Sequence, residues 1–410
     1  MIVFKLAWRS LFRNGRRTLV TLSSIALGLA FALFFVSMVA GIHKKTIGDA
    51  TRMLAGHLTI EHPDYRESLS SSLFVPSVSG VVRAAALPEV ERAKVLVVGQ
   101  AMLSSASGAV GATFLGVEPE AERATSPLAR SIKAGRYIEA TDERGVVVGA
   151  QLAERLKLDP GKKLVLTTMS VQGEMAEELL RVTGVFELGS EELDGALVQL
   201  PLDVARRIVG LTGDQATQVG LVLKDPDAEE RVRALVKGPI EAQGAAVRPW
   251  QEVLPELSAW QSLSGYVNRV LVGIILFLVT FTILNTVLMS VLERNREFAM
   301  LLALGTPTRL LRMQVLAEAA LLSLAGCLVG AAIGGALSYL TQVRGIDLGG
   351  MIDQAPTVGG FAFDTRLRTE LTFAQVKWLS AALVAMTMLI NIYPVLRSTR
   401  IDVANTLRSR

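Results

Sequence analysis

The sequence predicts a helical membrane protein with four transmembrane helices and a large α+β domain between the first and the second. Two observations support this fold class. Half of the 410 residues are apolar, and four uncharged runs each reach the roughly 20 residues that a helix needs to cross about 30 Å of hydrocarbon. These runs are Thr18–Ala40, Val270–Leu292, Ala319–Val343 and Trp378–Leu396.

The ends of the apolar runs and the polar segments around them divide the chain into nine parts. Before the first run, Lys5, Arg9 and Arg13 lie four residues apart, which predicts a basic amphipathic helix or simple topological charge. The predicted parts are a cytoplasmic amphipathic helix (1–17), transmembrane helix 1 (18–40), an extracytoplasmic α+β domain (41–262), transmembrane helix 2 (264–292), a cytoplasmic coupling helix (293–307), transmembrane helix 3 (310–343), an extracytoplasmic loop (344–376), transmembrane helix 4 (377–396) and a cytoplasmic tail (397–410).

The distribution of charge predicts the orientation of the chain. The segments before Thr18, between Glu293 and Arg312 and after Leu396 hold 13 Lys and Arg residues against three acidic ones. The positive-inside rule therefore places these segments, and both termini, in the cytoplasm. The insert from Gly41 to Ser262 holds 24 basic and 30 acidic residues and is expected outside. The basic edges are typical of contact with phospholipid head groups, and nucleic acid is not expected as a partner.

The large insert alternates strand and helix patterns. Strands are predicted at HLTIEH, KVLVVGQAML, GVVVGA, KLVLTT, LLRVTGVFEL, ALVQL and QVGLVLK. Helices are predicted at AQLAERLKL, PLDVARRIVGL and DAEERVRALVKG. The stretch from Leu69 to Gly80 is expected to be a mobile loop with Leu73 and Phe74 exposed at its tip.

Motifs for enzyme chemistry are missing from the sequence. It contains no G-x-x-x-x-G-K-[ST], no H-E-x-x-H and no G-x-S-x-G, so we expect neither ATP binding nor hydrolysis by this chain. Three histidines are too few to suggest a metal site, and the chain is predicted to hold no cofactor. Glu318, about 9 Å along the helix from Arg312, is expected to reach the interface or to pair with an arginine.

Small residues recur at intervals of four along the third run. Gly326, Gly330 and Gly334, followed by Ser338, form a stripe that lets another helix approach closely in lipid. The partner helix could belong to this chain or to a second subunit.

The stretch LERNREFAMLLALG, Leu292 to Gly305, lies between two apolar runs. As a helix it places charged residues at its start and apolar residues on one side, and Thr306-Pro307 ends it. Such a helix is either a docking surface or a loop resting on the bilayer. The candidate docking residues are Glu293, Arg294, Arg296, Glu297, Phe298, Leu301, Leu302 and Gly305.

The run from Asn285 to Gly335 resembles the signature segment of FtsX/MacB-type ABC permeases. WRSLFRNGRRT near the start and YPVLRSTRIDVANTLRSR at the end are similar to the opening and closing segments of that family. The middle of the insert, from VVVGAQLAERLKL onward, is similar to the extracytoplasmic domain of MacB-like and Lol-type lipoprotein-releasing permeases. The resemblance therefore covers nearly the whole chain in order.

This resemblance implies a mechanotransmission (type VII) ABC transporter in the inner membrane. Two permeases, identical or related, would dock a dimer of a separate ATPase, which would bind ATP and magnesium. LERNREFAMLLALG would be the coupling helix. The cargo would be a lipoprotein released from the inner membrane to a periplasmic carrier. The alternatives are MacB-like export of drugs, peptides or toxins with an adaptor, and FtsX-like signalling to a cell-wall enzyme.

Release of a lipoprotein would require an apolar entry between the first and second spans. The candidate contacts there are Phe34, Phe35, Val267 and Leu271, which are equally typical of residues that face lipid. In the large insert, Leu73 and Phe74 are further candidate contacts with the cargo.

Overall fold

The computed structural model describes residues 15–54, 56–347, 357–358, 361–362 and 366–397. The predicted amphipathic helix over 1–17 and the tail over 397–410 lie almost wholly outside these residues. The described chain forms two compact units. The helical unit comprises residues 15–44, 263–347 and 366–397, and the sheet unit comprises residues 45–262, 357–358 and 361–362.

The helices account for all four predicted spans. In chain order they are α1 (Gly15–Met53), α2 (Tyr65–Ser68), α3 (Val78–Ala84), α4 (Pro119–Thr125), α5 (Pro127–Arg130), α6 (Ala150–Leu156), α7 (Glu191–Ala196), α8 (Leu202–Val209), α9 (Glu229–Glu241), α10 (Trp250–Val253), α11 (Pro255–Glu293), α12 (Asn295–Ala303), α13 (Thr308–Arg344), α14 (Phe373–Ile390) and α15 (Ile392–Arg397). Among the described residues, four helical segments are long and apolar enough to cross a membrane, at Thr18–Met53, Pro255–Glu293, Thr308–Arg344 and Phe373–Arg397.

The strands belong mostly to the sheet unit. In chain order they are β1 (Leu58–Glu61), β2 (Val90–Ser105), β3 (Gly108–Val117), β4 (Ile132–Gly135), β5 (Gly145–Gly149), β6 (Lys163–Met169), β7 (Met175–Phe186), β8 (Leu197–Pro201), β9 (Gln218–Leu223), β10 (Ala246–Pro249), β11 (Ile346–Asp347), β12 (Thr357–Val358), β13 (Phe361–Ala362) and β14 (Arg366–Leu367). Every strand and helix predicted in the insert is present in the structure.

Two helices extend beyond the predicted spans. α1 continues past Ala40 to Met53, and α11 begins at Pro255. In the extension of α1, Ile47, Ala50 and Met53 follow one another at helical spacing and pack into an apolar cluster of the sheet unit. Polar residues end the uncharged apolar run in this segment, but the remaining apolar residues keep their helical spacing. The helix is therefore longer than the apolar run.

A ten-stranded sheet organises the sheet unit, in the order β10-β1-β9-β2-β3-β8-β5-β7-β4, with β6 paired to β2 and β7. Strand β2 connects its two halves, because residues 90–96 pair with β9 and residues 97–105 pair with β3. Most neighbours are antiparallel, while β3 with β8 and β5 with β7 are parallel.

Strand β5, in the middle of the sheet, is buried on both of its faces. Successive side chains of a strand point to opposite faces, and in β5 Val146 and Val148 join one apolar cluster while Val147 joins the other. The second cluster is the one that also contains Ala50 and Met53 from the end of α1. Leu257 from the start of α11 belongs to it as well. The two long helices that flank the insert therefore end in a single apolar cluster.

The glycine stripe of α13 packs against α1 of the same chain. A Cβ added at Gly330 would lie 2.7 Å from the carbonyl oxygen of Ala26, and one at Gly334 would lie 2.8 Å from the Cα of Ala30. A side chain on Gly326 would meet Ile25. Only the absence of side chains allows this close approach, which matches the way helices associate in lipid.

Polar contacts hold the same helices together beyond the stripe. The hydroxyls of Ser37 and Ser338 are 2.9 Å apart, and both residues are fully buried. The N–H of Glu370, in the segment before α14, donates to the carbonyl of Ser37 at 2.7 Å. The hydroxyl of Thr369 donates to the carbonyl of Ser338 at 2.5 Å. The segment before α14 therefore ties α1 to α13 near Ser37 and Ser338.

Candidate coupling site

The predicted docking segment forms the short helix α12, which has defined ends. Arg294 occupies the N-cap position, and Glu297 lies in the first turn, where a negative charge is favoured. At the other end Gly305 adopts φ +87°, and its N–H donates to Leu302 at 3.0 Å. The N–H of Thr306 donates to Leu301 at 3.0 Å, which completes a Schellman motif. Only glycine adopts this backbone conformation without strain, so Gly305 sets the corner before α13.

The two sides of α12 differ from the predicted arrangement. Phe298 is 1% exposed and Ala299 is fully buried, with Phe298 in the apolar core of the helical unit and Leu302 packed against that core. Met300 is 52% exposed and Leu304 is 84% exposed. Phe298 and Leu302 therefore anchor α12 to its own chain.

The surface available to a partner is apolar and carries charge on its flank. Met300, Leu301 and Leu304 are exposed, and we call these three residues the apolar docking face. Glu293 and Arg296 are exposed beside it. Of the predicted docking residues, Leu301, Glu293 and Arg296 are thus on the surface, whereas Arg294 and Phe298 face inward.

Arg294 connects α12 to the third spanning helix. Its Nε donates to Glu297 Oε2 at 2.9 Å, and one of its terminal nitrogens lies 3.4 Å from Glu318 Oε2. The guanidinium also stacks over the ring of Phe298, with 5.2 Å between the carbon of the guanidinium and the ring centre. Arg294 and Glu318 side chains are only 13% and 12% exposed. Arg294 therefore pairs with Glu318 of α13.

The proposed cargo contacts in the spanning helices are only partly exposed. Val267 and Leu271 are 50% and 40% exposed on α11. Phe34 and Phe35 are half-buried, and Phe35 packs against the apolar core of the helical unit. Val267 and Leu271 are thus the members of this set that offer most surface to lipid or to an acyl chain.

The expectation of an exposed apolar tip at Leu73 and Phe74 is wrong. Leu73 is half-buried and Phe74 packs against the core of the sheet unit. Val75 pairs with Ala216, and the N–H of Ser79 donates to Asp214 at 2.9 Å. These hydrogen bonds hold the loop down because they join it to a distant segment, which no local sequence pattern reveals.

The three histidines were not expected to form a metal site, and the described residues allow their surroundings to be compared with a metal-ligand cluster. No group of three His, Cys, Asp or Glu side chains converges there. His57 instead accepts a hydrogen bond from the N–H of Leu223 at 3.1 Å, inside the sheet unit.

Comparison with known families identifies this architecture. A model of the MacB-like periplasmic core domain matches residues 18–238, more than half of the chain, and a model of the FtsX-like permease C-terminal region matches residues 269–403. The chain belongs to the FtsX/MacB-like family of ABC transporter permeases. The domain between the first two spanning helices is its MacB-like periplasmic core domain.

Individual relatives of this permease agree with the family. It is 24% identical to the lipoprotein-releasing system transmembrane protein LolC of Xylella fastidiosa, over 97% of this chain and 95% of LolC. It is 23% identical to LolE of Haemophilus influenzae, over 72% and 71% of the two chains. It is also 26% identical to the macrolide export ATP-binding/permease protein MacB of Marinobacter nauticus, over 88% of this chain and 57% of MacB.

Replacing Glu318 by glutamine removes a buried carboxylate that Arg294 pairs with. We expect the free energy of unfolding in detergent to fall by about 1.5–3 kcal/mol, the usual contribution of a hydrogen bond to a charged group. The matched control is Glu297→Gln, which affects the same arginine through a carboxylate that is 40% exposed, and it should cost about 0–1 kcal/mol. Equal losses in the two variants would show that the pair does not hold α12 to α13.

Proposed function

We propose that this permease releases lipoproteins from the inner membrane, using ATP hydrolysed by a separate ATPase dimer that binds ATP and magnesium. The supporting observation is the end-to-end match to LolC, which spans 97% of this chain and 95% of the relative. The match to MacB covers 57% of that protein, so it supports the shared permease part rather than a macrolide substrate.

The energetics of the cargo explain why ATP is required. Moving an acyl chain out of a bilayer costs about 0.8 kcal/mol per CH₂ group, so a lipoprotein with two or three chains does not leave at a useful rate unaided. Val267, Leu271, Phe34 and Phe35 are the proposed contacts for these chains. A periplasmic carrier then receives the released protein.

The proposed path of force begins at α12. The ATPase docks on the apolar docking face, in the cytoplasm together with both termini, and a second permease, identical or related, completes the complex. Arg294 passes the movement of α12 to Glu318 and therefore to α13. The stripe on α13 passes it to α1, whose extension ends in the sheet unit. The periplasmic domain changes shape, and the cargo never crosses the bilayer.

The test of this function is reconstitution of the permease with its ATPase in vesicles that contain a triacylated lipoprotein. We expect lipoprotein to enter the soluble fraction when carrier and ATP are both present, and to stay in the vesicles with a non-hydrolysable nucleotide. The matched control cargo is the same protein with its acylated cysteine replaced. The amount of this protein in the soluble fraction should not depend on ATP. Retention of the lipoprotein despite normal ATP turnover would contradict the proposal.

A second test addresses the docking surface. Leu304→Asp places a charge at the centre of the apolar docking face, and we expect co-purification of the ATPase to fall at least tenfold because an unpaired charge opposes burial at an interface. Leu304→Met keeps the position apolar and should behave as the wild type. Both variants should insert normally in the membrane. Normal ATPase binding by Leu304→Asp would show that the ATPase docks elsewhere.

A further inference from the structure

Strand β2 carries a lysine whose charge is fully inside the protein. Lys94 is 5% exposed, and its Nζ donates to the carbonyl oxygens of Arg52 at 2.9 Å and of Met53 at 2.7 Å. The same nitrogen forms an ion pair with Glu122, whose side chain is 1% exposed. A lysine ammonium has three donors; two of them go to these carbonyls, and Glu122 lies in ion-pair contact with the same nitrogen.

The two carbonyls belong to the last turn of α1. The final carbonyls of a helix have no partner within the helix, and a positive charge near them interacts favourably with the helix dipole. Lys94 therefore caps α1 from a strand of the sheet. Burial lowers the pKa of the Lys94 ammonium, while the carboxylate of Glu122 counteracts that shift.

The surroundings place this cap at a structural junction. Met53 and Ala50 from α1, Leu96 from β2 and Leu257 from α11 all lie in the same apolar cluster. Leu96 is two residues from Lys94 on the same strand, so the cap and the cluster hold the same turn of α1 to the same strand.

Stability alone explains such a pair poorly. Removing two charges from water costs more than a buried ion pair usually returns, and apolar residues of similar size are often as stable or more stable. A cap made by hydrogen bonds differs from apolar packing because it fixes direction and register. It prevents the end of the helix from sliding along or rotating against the strand.

We propose that Lys94 is a positioning residue that fastens the last turn of α1 to strand β2, so that movement of α1 is passed to the periplasmic domain. Glu122 compensates the charge of Lys94, while the two carbonyl bonds hold its ammonium in place. The expected effect on cargo release rests on the proposed function. The attachment of α1 to β2 through Lys94 does not depend on that function.

The test uses a double variant that removes both charges and keeps the volume, Lys94→Met with Glu122→Leu. The matched control is Lys133→Met with Glu187→Leu, an exposed ion pair of the same domain at 2.7 Å. Two quantities are measured on the full permease with its ATPase. The first is amide hydrogen exchange over residues 48–54, and the second is lipoprotein released per ATP hydrolysed.

We expect exchange at the end of α1 to rise roughly tenfold in the double variant, which equals about 1.4 kcal/mol of lost capping, and to stay unchanged in the control. ATP turnover should be normal, and release per ATP should fall by a similar factor. Unchanged exchange would overturn the fastening role, and unchanged release per ATP would overturn the transmission role. Failure of the wild type to release any lipoprotein would instead refute the proposed function and leave the exchange result to decide the fastening.

A second variant covers the case in which the double variant does not fold. Glu122→Gln removes the carboxylate and keeps both carbonyl bonds of Lys94, since even a neutral amine has two hydrogens to donate. We expect it to retain the exchange pattern and the release per ATP of the wild type. Loss of coupling in Glu122→Gln would overturn the proposal, because the bonds to α1 would then not be the cause.

Discussion

One buried arginine connects the surface segment of this permease to its spanning helices. Arg294 begins α12, stacks on Phe298 and pairs with Glu318 of α13, and both charges are almost hidden from solvent. Without that pair, α12 would be held mainly by Phe298 and its apolar neighbours, which resist sliding much less than a directional ion pair does. In the proposed mechanism, this pair makes α12 and the start of α13 move together.

The helices beyond this pair are built to behave as stiff elements. α13 meets α1 through glycines, so the two backbones touch and little side-chain freedom remains between them. Hydroxyl and backbone bonds at Ser37 close the other end of the same contact. α1 then continues without interruption to Met53, where Lys94 caps it. Each junction along this path is polar or tightly packed, which suits the proposed transmission of movement.

The sequence predicted the features that have a local pattern. Apolar runs located the spanning helices, and β-rich runs such as GVVVGA located buried strands. Strand β3 was missed because GAVGATFLGV is rich in glycine and alanine, which are depleted in strands. Three features depend on contacts between residues that are distant in sequence. They are the rotation of α12, the pairing of Arg294 with Glu318 and the cap at Lys94. A single sequence carries no signal for such contacts, since only the folded chain brings them together.

The central claim is that continuous helices carry movement from α12 to the periplasmic domain. The most direct measurement interrupts both helices that flank the domain, by Lys45→Pro in α1 and Ser262→Pro in α11, because proline breaks the helical hydrogen bonds. Alanine at the same positions is the control. ATP-induced changes in amide exchange of the periplasmic domain should vanish in the proline variant, while ATP turnover continues, and persist in the control. A periplasmic domain that still responds to ATP with both helices interrupted would contradict the account.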